Sequence, residues 1–254
     1  MFIKLVSNER KIAVAAWNKG VMESTGDLIF IIGAHSTHTK NFISSCVKWS
    51  NMADNVGGTL KSFEIVKTIM SKATTIVRDD IFGVGKAGFR QKLDRPKYVD
   101  TVFGGCYRRE VFDKVGLFNE NLERTGDLEF NLRLKRIGLK TLLIPGIKNY
   151  YYARSTLLSF VKHSFKDGIW SVLPMAYSDV DFGYKRLLPL LFVLTFPLSI
   201  WPYLLIAFTR SVYISKKEKE PRLMFAMPLA FLLFHISYGI GNFWGIIRLL
   251  KVRI

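Results

Sequence analysis

Two uncharged apolar runs limit how this chain can fold. Residues 187–208 (LLPLLFVLTFPLSIWPYLLIAF) carry no charge. As one helix, such a run is long enough to cross a hydrocarbon core of about 30 Å. Residues 224–247 form a second uncharged run, with His235 inside it. Two such runs in succession do not suit a soluble core, so the chain is expected to have a membrane region over residues 181–254. A soluble domain is expected over residues 1–180.

The basic residues gather at the ends of these runs. Lys185 and Arg186 precede the first, and Arg210, Lys216, Lys217, Lys219 and Arg222 separate the two. Arg248, Lys251 and Arg253 follow the second. This placement suits anionic headgroups. It also accounts for much of the net charge of +17 without a basic, aromatic-interleaved face for nucleic acid. Two topologies are open. Both runs span, leaving the basic middle loop opposite the main domain, or Pro197 and Pro202 break the first run into a re-entrant hairpin.

The N-terminal part reads as α/β. Residues 2–7 predict a strand and residues 12–24 a helix, with Ile12, Ala16 and Val21 at helical spacing. Residues 28–32 are continuously apolar, as in a parallel strand covered on both faces. Strand, helix and strand make a βαβ unit, and open α/β sheets bind ligands beyond the carboxyl ends of their strands. Gly33 to His38 occupies that position, yet it contains no carboxylate. His35 and His38 there suit either a metal site completed by a distant carboxylate or a structural role. Cys46 and Cys106 have neither a metal-ligand spacing nor a disulfide framework, and residues 1–11 lack the charged-then-apolar pattern of a secretory signal.

Further along, residues 41–51 and 66–77 predict helices, and residues 54–63 predict a glycine turn entering a strand. The loop DDIFGVGKAGFR has glycines at 83, 85 and 88, with Lys86 and Arg90 available to a phosphate. Turn geometry alone also explains those glycines. Residues 98–122 predict a strand, a break at Gly104-Gly105 and a helix. Arg108 and Arg109 begin that helix, where the dipole disfavours cations unless an anion is near. In ERTGDLEFNLRLKRIG, Asp127 falls in the first helical turn, and Glu129 and Arg133 are four apart. On these residues alone, Asp127 is a cap as readily as a functional group.

Several of these segments together resemble family 2 glycosyltransferases of the exopolysaccharide, succinoglycan-type branch. They are AAWNKGVMESTGDLIFIIGAHS, DNVGG, IFGVGKAGFR, VDTVFGGCYRREVFDKVGLFNENL, GDLEFNLRLKR and HISYGIGNFWG, in the family's order and spacing. The resemblance implies an α/β fold, a partial GT-A (Rossmann-like) domain followed by transmembrane helices. It implies inverting hexosyl transfer from a nucleotide-sugar donor to a lipid-linked saccharide or polysaccharide acceptor. The expected place is the bacterial inner membrane, with the catalytic domain facing the cytoplasm. In the family a divalent metal, Mn or Mg, offsets charge on the departing diphosphate.

By the same resemblance Asp127 is the general base, Glu129 and Arg133 support it at the substrate, and Gly104 and Gly105 line the sugar pocket with Asp100 nearby. Two departures stand out. Gly33 replaces the family's strand-end Asp, leaving His35 as the metal ligand the resemblance can still supply. The chain also begins at what resembles the family's third strand, so its donor-binding half is expected to be incomplete. Two functions follow: a membrane-associated transferase in cell-envelope synthesis, or an inactive truncated remnant or membrane-anchored binding partner that retains the acceptor half.

Overall fold

The computed structural model describes residues 3–34, 36–84, 88–90, 93–153 and 156–253. The chain divides into two compact units. The first comprises Met1–Leu60, Gly88–Asn149 and Tyr177–Asp181, and the second Lys61–Ala87, Tyr150–Ala176 and Phe182–Ile254.

The first unit is α/β. Its helices are α1 (Ala13–Glu23), α2 (Phe42–Trp49), α4 (Glu110–Val115) and α5 (Gly126–Arg136); α3 (Ile69–Asp79) lies in the second unit. The strands are β1 (Leu28–Phe30), β2 (Ser36–His38), β3 (Asn55–Glu64), β4 (Lys97–Tyr98), β5 (Phe103–Arg108) and β6 (Thr141–Ala153). The sheet order is β1-β5-β3-β6-β2, with β4 on β6. β5 is antiparallel to both neighbours, pairing Leu28 with Arg108 and Asn55 with Tyr107. The sheet is therefore not parallel throughout: β1 and β3 share a direction, with β5 reversed between them. An apolar run records that a strand is buried on both faces but not which way its neighbour runs.

Other local expectations change as well. Residues 3–8 form no strand, and Ile3 and Leu5 are exposed; the stretch pairs with no strand and so gains no ladder. The glycines at 57 and 58 stand inside β3, not in a turn. A Cβ on Gly58 would sit 2.1 Å from Ile147 Cγ2, and one on Gly57 would sit 2.7 Å from Val102. Gly104 and Gly105 likewise continue β5 and do not break it.

Two apolar clusters hold this unit. One gathers Val14, Ile29, Tyr107, Phe112, Phe118, Phe130 and Leu134, with Phe118 and Phe130 rings 4.3 Å apart. The other includes Phe42, Val56, Leu142, Ile144 and the free, buried thiols Cys46 and Cys106. Burying one such side chain contributes about 1.5–3 kcal/mol.

The second unit is helical: α3, α6 (Leu157–Val172), α7 (Leu188–Leu194), α8 (Phe196–Glu218) and α9 (Leu223–Arg253). Its core includes Ala73, Val77, Phe160, Ala207, Met227 and Phe231. Leu223–Val252 is long and apolar enough to cross a membrane, with mean hydropathy 1.8. The first apolar run is not one straight helix, since Tyr184–Leu194 and Phe196–Glu218 are bent by 114°. Pro197 stands in the first turn of α8, where its missing N–H costs nothing.

Candidate active site

The α5 N-terminus is built by close packing. Thr125 is left-handed, with φ +60°, and its carbonyl accepts the Glu129 N–H at 2.9 Å. Gly126 follows, buried against α1. A Cβ there would meet Val14 Cγ1 at 2.4 Å, so glycine lets the helix start abut α1. Asp127 comes next, half-buried in the first turn. A carboxylate there is favoured by the helix dipole.

One helical turn separates Asp127 from Asn131 and another separates Asn131 from Lys135, so the three share a stripe. Asn131 is fully buried. Its Oδ1 accepts from Asn55 Nδ2 at 2.9 Å and from the Tyr107 hydroxyl at 3.2 Å. Its Nδ2 donates to Thr101 Oγ1 at 2.8 Å. Burial, and after it the negative charge of Asp127, pushes the Tyr107 hydroxyl's pKa up. Tyr107 therefore stays protonated and donates to Asn131. At the far end of the stripe Lys135 Nζ pairs with exposed Asp100 at 2.7 Å. The stripe thus ties the segment carrying Asp100 and Thr101 to the helix that carries Asp127.

Glu129 and Arg133 face elsewhere, since two residues turn an α-helix by about 200°. Glu129 is buried, and its carboxylate accepts from Arg133 Nε at 2.8 Å and Ser178 Oγ at 2.8 Å. Arg133 also donates to the carbonyls of Val115 at 2.7 Å and Leu117 at 2.8 Å. The pair braces α5 to the end of α4 and to Ser178. It borders a cavity of about 290 Å³, lined also by Arg136, Tyr177 and Asp179.

Gly104 and Gly105 connect the strand end to the buried network. Gly104 has φ +64°, and a Cβ there would lie 3.3 Å from His38 Cε1. The Gly105 carbonyl accepts the Ile31 N–H at 3.0 Å. A Cβ on Gly105 would sit 2.5 Å from Asn55 Oδ1, so this glycine admits the Asn55 side chain to Asn131. The structure therefore joins Gly105 to Asn131 through Asn55 and Tyr107, and leaves Glu129 and Arg133 on another face of α5.

His35, the metal ligand implied by resemblance, lies outside the described residues, as do Gly85 and Lys86. His38 stands with Nδ1 2.7 Å from Asn149 Oδ1 and Nε2 3.2 Å from Ser36 Oγ. Both ring nitrogens are thus engaged by uncharged partners, and the ring packs on Phe42. Gly33 supplies no donor, although a Cβ there would meet nothing nearer than Ser36 Oγ at 3.8 Å. Among the described residues, no three or more His, Cys, Asp or Glu side chains are grouped to hold a metal. These described residues do not fit a divalent ion.

Two other expectations find structural reasons. Arg109 donates to the Ser24 and Gly26 carbonyls at 2.8 and 2.7 Å, serving the end of α1, while Arg108 pairs with Glu110 at 2.7 Å. Gly83 is a packing glycine, because a Cβ would lie 1.9 Å from the Val77 carbonyl oxygen.

The sequence reading missed Asn55, Asn131 and Tyr107. One signal was available: an asparagine four residues after Asp127, in a helix with Phe130 and Leu134 on its buried side.

Residues 2–116 match the family described as Glycosyl transferase family 2. A relative in Methanococcus voltae is named dolichyl N-acetyl-alpha-D-glucosaminyl phosphate 3-beta-D-2,3-diacetamido-2,3-dideoxy-beta-D-glucuronosyltransferase. It is 29% identical over 264 residues, spanning 97% of this chain and 79% of the relative. The succinoglycan biosynthesis protein ExoA of Rhizobium meliloti (strain 1021) is 22% identical over 261 residues, spanning 95% and 77%.

Proposed function

We propose, from the match of residues 2–116 to the family described as Glycosyl transferase family 2, that this chain transfers a sugar from a nucleotide-sugar donor to a lipid-linked or polysaccharide acceptor. Asp127 is the general base. Its carboxylate takes the acceptor hydroxyl proton as the oxygen attacks the anomeric carbon. The carbon–oxygen bond to the diphosphate breaks on the opposite side, and its electron pair leaves with the nucleotide, so the configuration inverts.

The observation that carries this reading is the placement of Asp127. It is half-buried at a helix start, in electrostatic reach of buried Tyr107, on the helix whose Asn131 bonds Thr101. Gly104 and Gly105 border the donor sugar in this reading, with Asp100 at its rim. Glu129 and Arg133 act by fixing α5.

The proposed setting is the inner face of a bacterial cytoplasmic membrane, with residues 1–180 catalytic and residues 181–254 holding the chain to the bilayer. A membrane setting is supported by the apolar length of α9, and a lipid-linked acceptor by the Methanococcus relative, whose name specifies a dolichyl phosphate-linked saccharide.

A second reading, a membrane-anchored binding partner without turnover, is favoured by Gly33, which offers no carboxylate at the strand end. The deciding experiment incubates the full chain with a panel of nucleotide sugars and polyprenyl-phosphate saccharides. Product whose new bond has the anomeric configuration opposite to the donor supports transfer. Acceptor binding without product supports the second reading.

A further inference from the structure

The outer face of α8 is apolar and uncovered. Leu198, Trp201, Leu205 and Phe208 follow one another at helical spacing, and the first three are 84%, 77% and 66% exposed. The opposite face, with Tyr203, Ala207, Ser211 and Ile214, is buried in the second unit's core. α7 adds exposed Leu191 and Leu194. One helix thus has two apolar faces, of which protein covers one.

Length and charge indicate what covers the other. The bend at Thr195 divides the uncharged run in two. α7 has 7 residues, which at 1.5 Å each reach only about 10 Å. α8 runs uncharged from Phe196 to Thr209, about 21 Å, before Arg210, whose guanidinium is held by Asp80 at 2.7 Å. Neither piece reaches the roughly 30 Å of a full hydrocarbon core. Exposed Lys185 stands before the bent pair, and exposed Lys216, Lys217 and Lys219 stand after it.

We propose that α7 and α8 form a re-entrant wedge in one leaflet of an anionic phospholipid bilayer, entering and leaving at the same surface. The apolar outer faces sit among acyl chains, and the lysines at both ends meet anionic headgroups, each favoured near such a surface. The basic stretch between α8 and α9 then returns to the side on which α7 began. This inference rests on the membrane association proposed above and adds to it a topology and a lipid class.

The test uses the full chain. Lys185→Cys and Lys217→Cys variants are treated with a membrane-impermeant thiol reagent in right-side-out and inside-out vesicles; Cys46 and Cys106 are buried. Trp201 fluorescence is read in phosphatidylglycerol–phosphatidylcholine vesicles with bromine on the acyl chains of one lipid or the other, and Trp201→Phe identifies its share. Labelling of both sites in the same vesicle type, with stronger quenching by brominated phosphatidylglycerol, is expected. Labelling from opposite sides overturns the wedge and leaves membrane association standing. Absence of Trp201 quenching, or equal quenching by the two lipids, overturns the anionic-leaflet assignment. Failure of the chain to float with either vesicle overturns this inference and the membrane reading together.

Discussion

Asn131 Nδ2 donates to Thr101 Oγ1 at 2.8 Å, one turn along α5 from Asp127. The same amide's oxygen accepts from Asn55 and Tyr107. A single buried side chain therefore holds a helix, two strands and the segment beside Asp100. Asn131→Ala leaves the Asn55 and Tyr107 donors unpaired, at a cost of about 1–3 kcal/mol for each buried group stranded. The melting temperature is expected to fall, and KM to rise more than kcat falls, as the Thr101 segment loosens. Thermal denaturation and steady-state kinetics on the same preparation check this.

The Glu129–Arg133 pair gives a contrasting expectation. Glu129 is only 1% exposed, and Glu129→Ala removes the countercharge of the Arg133 guanidinium, which keeps only the Val115 and Leu117 carbonyls. Breaking a buried pair from one side costs about 3–5 kcal/mol. Denaturant unfolding is expected to show that loss, while turnover per folded molecule changes by less than about tenfold, because the pair occupies a different face of α5 from Asp127.

Gly126 and Val14 form a packing switch for Asp127. Gly126→Ala drives a methyl into Val14 Cγ1, where a Cβ would lie at 2.4 Å. Overpacking of this kind costs about 1–3 kcal/mol, and here it displaces the carboxylate as well. Val14→Ala in the same chain is expected to recover most of the lost turnover. The coupling between the two changes, read in a double-mutant cycle of kcat/KM, measures the effect.

Much of this arrangement could be read from local pattern. The Gly126-Asp127 start of α5, its end before the positive-φ Gly138 and the spans of α1 and α2 follow from periodicity and helix-end chemistry. Contacts across the chain could not be read that way. Gly57 and Gly58 look like a turn until Val102 and Ile147 come up against them, and Gly104-Gly105 looks like a break until β5 is seen to lie on both β1 and β3. Arg109 looks misplaced at the start of α4 until its guanidinium reaches the end of α1. The buried amide network joins residues 55, 101, 107 and 131, so no local window contains it. The prolines near residue 195 left two topologies open, and the bend lies just before Pro197.

Gly33 has room for a carboxylate. With the nearest atom to a built Cβ at 3.8 Å, Gly33→Asp is expected to change stability by less than about 0.5 kcal/mol, as for other unstrained surface changes. It is expected to tighten Mn²⁺ binding relative to the unmodified chain. Denaturant unfolding checks the stability and titration calorimetry the Mn²⁺ affinity; an unchanged affinity would show that the strand end does not participate in metal binding.

In the proposed reaction Asp127 takes the acceptor's proton. The most direct measurement is kcat for Asp127→Asn beside the unmodified chain, with melting temperatures matched and donor and acceptor saturating. Removing a general base is expected to lower kcat by about 10²–10⁴-fold while leaving the fold intact. Turnover within a few-fold of the unmodified chain would contradict the account and take the base role away from Asp127.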